Sequence, residues 1–404
     1  MAHSGPAVLP YCASTTSHAP TPTHMTADGN DVTPYAVESD DLDYEKLLAR
    51  FGADELTDDQ RARFPDHPLV NRGLFYAGRD VDDFLTAGEQ SIVTGVGPSG
   101  PMHLGHAMVF YFARRLQDEF GARVYVPLSD DEKYWFKDQT PAETGDYLRA
   151  NLRDLLAVGF DPELTRIVVD TRDADVLYPL ATAFAGDVRH ATLQNVYGEP
   201  DNVGQAFYPA VQTAHLLLPQ LVHGEHETLV PIAVDQDPHV RVSRDVAAKA
   251  RYPVGKPGAL LMQFLPSLAG PGKMSSSAGV SIRLTDSPDT VREKVRTHAY
   301  TGGRASVEEH RAKGGVPAED VPFQYLSAFF EPDDAELARI EREYRAGDLL
   351  SGELKDLAAD RITEFLAAHQ RRRAALGDVT EALDAFRLTD DERQRARDAV
   401  GFGY

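Results

Sequence analysis

Cysteine is almost missing from this chain: Cys12 is the only one in 404 residues. A disulfide framework within the chain and a cysteine-rich zinc site are therefore both excluded. No run of about 18 apolar residues occurs, which excludes a helix that spans a membrane. Lysine is scarce too. Of 41 basic residues only nine are lysine, and the other 32 are arginine. Charge is lacking altogether between Met1 and Ala27. That stretch is rich in Ser, Thr, Pro and His, and it has neither the charged start nor the apolar centre of a signal peptide. It reads as a tail without structure, or as a sign that translation starts at Met25.

What is abundant is acid. Asp and Glu total 63, and the formal charge is −22. Excess carboxylate with little lysine suits a surface kept hydrated at high salt, hence a salt-loving cytoplasm; an ordinary acidic protein is the alternative. Taken alone, the acidity argues against a nucleic-acid partner, because phosphates would be repelled. The hydrophobic share of 42% supports sizeable cores and excludes a fully disordered chain. The length suggests about two to three domains.

The pattern along the chain sets the expected organisation. Residues 1–40 read as an extension or linker. Residues 41–88 read as short helical pieces, the first with Leu47, Leu48 and Phe51 on one face. From 89 to 286, β-rich runs (Ser91–Thr94, Arg123–Leu128, Ile167–Val169, Leu229–Val234) alternate with helical ones. That alternation predicts a parallel sheet in an α/β, Rossmann-like nucleotide-binding domain. Residues 172–227 look like an insertion between its halves. Residues 287–404 show only helical patterns and predict an α-helical C-terminal domain.

Two motifs carry chemistry. Pro98-Ser99-Gly100-Pro101-Met102-His103-Leu104-Gly105-His106 joins a strand to a helix. Glycines let a backbone approach a ligand, and a helix start presents N–H groups to phosphate. Two imidazoles three residues apart can donate to a phosphate whose charge grows in a transition state; an isolated pair of this kind is more simply structural or a metal pair. Lys273-Met274-Ser275-Ser276-Ser277 follows Gly270-Pro271-Gly272. A lysine on a glycine-flanked loop can stabilise a pyrophosphate leaving group; a surface loop is the bland alternative.

Together these motifs resemble the class I aminoacyl-tRNA synthetases. Further runs narrow the resemblance to the tryptophanyl-tRNA synthetases, in their archaeal and eukaryotic branch: Asp130-Asp131-Glu132-Lys133-Tyr134, Ala233 to Arg241, His298 to Arg304, and Ser351 to Lys355. The likeness runs from about Tyr44 to Arg373. It implies an ATP-dependent ligase that activates L-tryptophan to tryptophanyl-adenylate, releases pyrophosphate, and passes tryptophan to the 3′ end of tRNA(Trp). It implies catalytic roles for His103, His106 and Lys273, and ATP binding by Pro98, Gly105, Lys273, Met274, Ser275 and Ser277. It implies tryptophan binding by Ser129, Glu132, Gln212, Asp235 and Gln236. Mg²⁺ would come with ATP rather than in a protein cage. A homodimer, a cytoplasmic location and anticodon reading by residues 287–404 follow from the same resemblance. His369-Gln370-Arg371-Arg372-Arg373 is either a tRNA phosphate contact or a solvated helix end. Asp130 and Asp131 have a solvated turn or helix cap as their alternative.

The departures bear on the amino acid. Ser276 replaces the second lysine of the common motif. Val93 stands where a tyrosine is expected, and Pro127 where a glutamine is. The nearest alternatives are a tyrosyl-tRNA synthetase-like ligase, a nucleotidyltransferase, and a synthetase-like binding protein without catalysis.

Overall fold

The structure, a computed structural model, describes Leu48, residues 52–270, the backbone of 271–273, and residues 280–403. The possible start at Met25 lies outside them. So does most of the helix expected around 41–51, of which Leu48 is described as helical and buried.

Five parallel strands form the centre: β3 (Gln90–Val93), β4 (Arg123–Leu128), β5 (Thr165–Val169), β6 (Glu227–Ala233) and β7 (Gly258–Met262). Their spatial order is β7-β6-β3-β4-β5, the doubly wound arrangement that the alternating pattern predicts. Alternation along each strand feeds two cores. Val124, Val126 and Leu128 of β4 face one, whereas Tyr125 faces the other. The first core is covered by α1 (Leu104–Phe120) and α2 (Pro141–Val158), the second by α3 (Ala174–Ala185), α4 (Val203–His223) and α5 (Asp237–Ala247). A sheet buried on both faces explains why its strands read as continuous apolar runs. Residues 172–227 supply α3 and α4, with a shorter helix His190–Tyr197 between them.

Two expected boundaries are corrected. Residues 41–88 are not only helical. Asp54–Glu55 (β1) and Phe75–Arg79 (β2) extend the sheet, with β2 antiparallel to β7. Gly78 marks a close approach of the two strands, where a Cβ would lie 2.7 Å from the Ala259 carbonyl oxygen. Arg79 then pairs with Asp237 at the start of α5, at 3.1 and 3.0 Å.

The region after 287 is helical, but it is not one detached domain. The two strands β8 (Pro266–Ser267) and β9 (Gly270–Lys273) lead towards α6 (Pro288–His298), which packs on α7 (Ser351–Ala375). α7 in turn packs on α2 and shares the first core. The chain then returns to the sheet. The Ile167 amide of edge strand β5 donates to the Phe386 carbonyl (2.8 Å), and α8 (Asp390–Ala399) lies against α3 and α4. Covering an edge strand removes a row of unpaired backbone groups.

Part of the basic cluster is taken up in packing. His369 is buried and bonded to the Tyr111 hydroxyl and to Asp154. Gln370 donates to the carbonyls of Leu284 and Asp286, Arg372 to that of Ala157, and Arg373 to Asp154. These groups dock α7 on α2 and the first core, while Arg371 and Arg372 remain exposed.

Candidate active site

The order β6-β3-β4 reverses the direction of chain crossover between β3 and β6. Open α/β sheets form their ligand crevice at such a switch point, beyond the carboxyl ends of the strands. A cavity lies there. Val93, Thr94 and Gly95 line it from β3, Pro127 and Ser129 from β4, Tyr208 and Gln212 from α4, and Gln236 and His239 from the start of α5. Two glycines keep its rim narrow. A Cβ on Gly95 would lie 2.3 Å from the Pro127 carbonyl oxygen. One on Gly97 would lie 2.7 Å from a Glu132 carboxylate oxygen. The backbone contact at Gly95 leaves no room for a side chain, whereas at Gly97 the Lys133 and Glu132 side chains would have to shift.

The histidine motif opens α1. His103 is its N-cap, and its Nδ1 accepts from the Gly105 amide (3.2 Å); His106 Nδ1 accepts from the His103 amide (3.3 Å). The rings stack, with centroids 3.9 Å apart. The two imidazoles thus work as a capping box, a task usually done by Ser or Thr with Glu. This is the structural role set against catalysis above, and it does not exclude catalysis. A ring whose Nδ1 accepts carries its proton on Nε2 when neutral. Both rings are therefore held in the tautomer that presents an N–H donor on the side away from the helix backbone.

Residues 282–284, a few positions beyond the second motif, meet the first through the backbone. Leu104 donates to the Ile282 carbonyl (3.1 Å) and Leu284 to that of Met102 (3.0 Å). His103 and Arg283 form an antiparallel bridge. Lys273 ends β9. Met274, Ser275 and Ser277 lie outside the described residues. Pro98 sits in the loop before α1, buried, with its carbonyl accepting from Gln139 (2.9 Å).

On the amino-acid side, four of the five expected residues line one cavity: Ser129, Glu132, Gln212 and Gln236. Asp235 is buried in the turn Val234–Gln236 and is not part of the lining. Glu132 accepts from Lys133 Nζ (2.6 Å) and from the Tyr208 hydroxyl (2.7 Å). Burial works to raise its carboxyl, but Lys133 and Tyr208 outweigh it and hold the group below the usual glutamate range. A buried carboxylate that stays ionised is suited to accept a ligand N–H. Gln212 donates to the Tyr208 hydroxyl and, at 3.4 Å, to Ser129 Oγ. Val93 and Pro127, the two departures, both line the cavity. Tyr208 supplies a hydroxyl from the opposite wall.

Sequence reasoning did not single out Tyr208 or His239. Tyr208 lies one helical turn before Gln212, a spacing that puts both on one face of α4. His239 is buried, accepts or donates at Nδ1 with the Tyr197 hydroxyl (2.9 Å), and packs edge-on to Tyr208. Burial lowers it to about 4, so it is neutral. Asp130 and Asp131 are neither solvated nor helix caps. Asp130 accepts from the Thr171 amide and hydroxyl (2.9 and 2.5 Å), and Asp131 from Tyr178 (3.0 Å).

Comparison with known proteins agrees with this geometry. Residues 86–367 match the family described as tRNA synthetases class I (W and Y). The tryptophan–tRNA ligase of Pyrobaculum aerophilum is 40% identical over 87% of this chain and 96% of its own length. That of Saccharolobus solfataricus is 38% identical over 85% and 92%. The tryptophanyl-tRNA synthetase of Giardia lamblia superposes with a TM-score of 0.79 at 32% identity, covering 86% of this chain and 96% of that one. The enzyme from Aeropyrum pernix superposes at 0.75, with 30% identity over 85% and 95%. A strand–loop–helix element capped by two histidines and a carboxylate-bearing cavity at the switch point are thus found on a chain that belongs to the class I tRNA synthetases, in the group of the tryptophan–tRNA ligases.

Proposed function

We propose that this chain joins L-tryptophan to tRNA(Trp) in two steps within the cavity at the switch point. A tryptophan carboxylate oxygen attacks the α-phosphorus of ATP in line. The new O–P bond forms as the bond to the β-phosphate breaks, and pyrophosphate leaves. The terminal ribose hydroxyl of tRNA then attacks the carbonyl carbon, and AMP leaves. The protein forms no covalent bond; it positions and stabilises charge. His103 and His106 donate through Nε2–H to phosphate oxygens, and Gly105 lets the adenine lie against the backbone. Lys273 meets the pyrophosphate, with Met274, Ser275 and Ser277 shaping the loop. Mg²⁺ arrives bound to the ATP phosphates. Glu132 accepts from the indole N–H, with Ser129, Gln212 and Gln236 completing the walls.

The observation that carries this reading is Glu132, an ionised carboxylate among the lining groups of a cavity bordered by two glycines. The reading brings with it a homodimer in the cytoplasm, and tRNA contact by the helices after residue 287. Among the described residues no helix is long and apolar enough to cross a membrane. The test is exchange of labelled pyrophosphate into ATP in molar KCl, with each of the twenty amino acids in turn. Exchange with tryptophan alone is expected. Exchange with tyrosine alone would overturn the specificity, and none with any amino acid would leave a binding protein.

A further inference from the structure

Behind the wall of the cavity, three acids and a histidine are shut away from water. Asp131, Asp170 and His215 are each no more than 3% exposed, and Asp130 is 6% exposed. They come from three elements: the loop after β4, the end of β5, and α4. Asp130 is fully occupied by Thr171. Asp131 Oδ2 accepts from Tyr178 of α3 (3.0 Å), and Asp170 Oδ1 faces His215 Nε2 (2.8 Å). That leaves one oxygen on each carboxyl, Asp131 Oδ1 and Asp170 Oδ2, buried and without a donor. The two carboxyls lie within hydrogen-bonding reach of each other. Two ionised carboxylates cannot share a dry site, whereas one proton between them satisfies both orphaned oxygens at once. No lysine or arginine is paired with either acid among the described residues.

We infer that Asp131 and Asp170 hold a single proton between them, as Asp131 Oδ1–H donating to Asp170 Oδ2, and that this acid–carboxylate pair is a positioning device for the amino-acid pocket. Its route to the cavity is short. Asp131 directly precedes Glu132. Ser129, which lines the cavity, lies beside Asp170 and accepts from Gln212. The pair therefore fixes the loop 129–132 from behind, so that Ser129 and Glu132 face the ligand. His215 is held neutral by burial, lowered to about 4, and so donates Nε2–H to Asp170 across the working range. Burial and the neighbouring Asp170 push Asp131 up to about 8. The groups facing the pair are Tyr178 from α3, His215 from α4, and Asp130 and Glu132 from the loop; the two acids add to the repulsion when the proton is lost. Above that pH both carboxyls are charged, the loop is forced apart, and tryptophan binding weakens while the chemistry on bound substrate does not.

The inference rests on the proposed function for its kinetic readout, and the test separates the two. Tryptophan-dependent pyrophosphate exchange is followed from pH 6.5 to 9.5. For the unaltered chain KM for tryptophan should be flat to about pH 8 and then rise about tenfold per unit, with kcat nearly unchanged. In Asp131→Asn the side-chain amide donates to Asp170 at every pH, so the rise should vanish. Asp131→Ala, which leaves Asp170 unpartnered, should show a raised KM at all pH values. A rise that persists in Asp131→Asn, or one confined to kcat, overturns the inference. No exchange at any pH overturns the proposed function instead. A second measurement needs no activity and no stable variant. Infrared difference spectra of the unaltered protein should show a protonated carboxylic-acid carbonyl band at pH 7 that is gone at pH 9.5. Its absence at pH 7 also overturns the inference.

Discussion

Tyr208 donates to Glu132 and accepts from Gln212, so a single hydroxyl ties together two groups assigned to tryptophan. Removing it in Tyr208→Phe strips a buried carboxylate of one donor and keeps the ring that packs against His239 and Trp135. A lost hydrogen bond to a charged group is worth about 1.5–3 kcal/mol. We expect KM for tryptophan to rise roughly tenfold to a hundredfold on that basis, with kcat changed far less, in the exchange assay. An unchanged KM would take Tyr208 out of the pocket. Lys273→Ala should do the reverse, lowering kcat for adenylation much more than tryptophan affinity, because its partner charge develops only as pyrophosphate departs. At this scale the sequence spoke plainly where a residue type is chemically rare. Histidine beside glycine at a helix start, and a lysine in a lysine-poor chain, stand out by themselves. Tyr208 did not, since an aromatic on an apolar helix face reads as core.

α8 shows how an element far along the chain can belong to the first domain. Arg166 on β5 grips both carboxylate oxygens of Glu392 (3.0 and 2.9 Å), and Arg393 pairs with Asp173 and Asp175. Glu392 also caps its own helix, accepting from the Thr389 amide (2.8 Å). Burial works to raise it, but Arg166 and the Thr389 cap prevail and lower it. Glu392→Ala leaves Arg166 partly buried and uncompensated, and breaks the cap. We expect a loss of about 3–5 kcal/mol in chemical unfolding, with Glu392→Gln milder because the cap survives. A loss under about 1 kcal/mol would mean that the pair behaves as an exposed one. Helical periodicity marked α8 correctly as a helix. Where it docks was not legible, because an ion pair between residues 226 apart leaves no local pattern in the sequence.

For the whole molecule, buried histidines set the acid limit. His67, His215, His223 and His239 are each lowered to about 4, chiefly by burial. Their unfolded value is 6.5, so between about 6.5 and 4 the unfolded chain binds more protons, and stability falls as pH falls. Asp131 works the other way. Its native value near 8 lies above its unfolded 3.8, so the stability it contributes is full below about 4 and is lost as pH rises to about 8. The two trends predict a maximum of stability near pH 6.5 in urea melts at constant molar KCl. In Asp131→Asn the decline on the alkaline side should flatten; an unaltered decline would assign it to other groups. The net charge of −22 argued at first against a nucleic-acid partner. At the molar KCl of the exchange assay, repulsion is screened within about 3 Å, so the overall charge does not by itself exclude that partner. The sequence by itself determined the reaction class and the α/β alternation, because phosphate chemistry needs particular residues at fixed short spacings and strands and helices write their periods locally. Only the tertiary structure decided that the histidines cap their own helix, that β1 and β2 extend the sheet while Phe386 bonds to its far edge, that Gln370, Arg372 and Arg373 dock α7, and that two aspartates 39 positions apart meet behind the pocket. Each of these depends on distance in space between residues far apart in the chain, which no local pattern encodes.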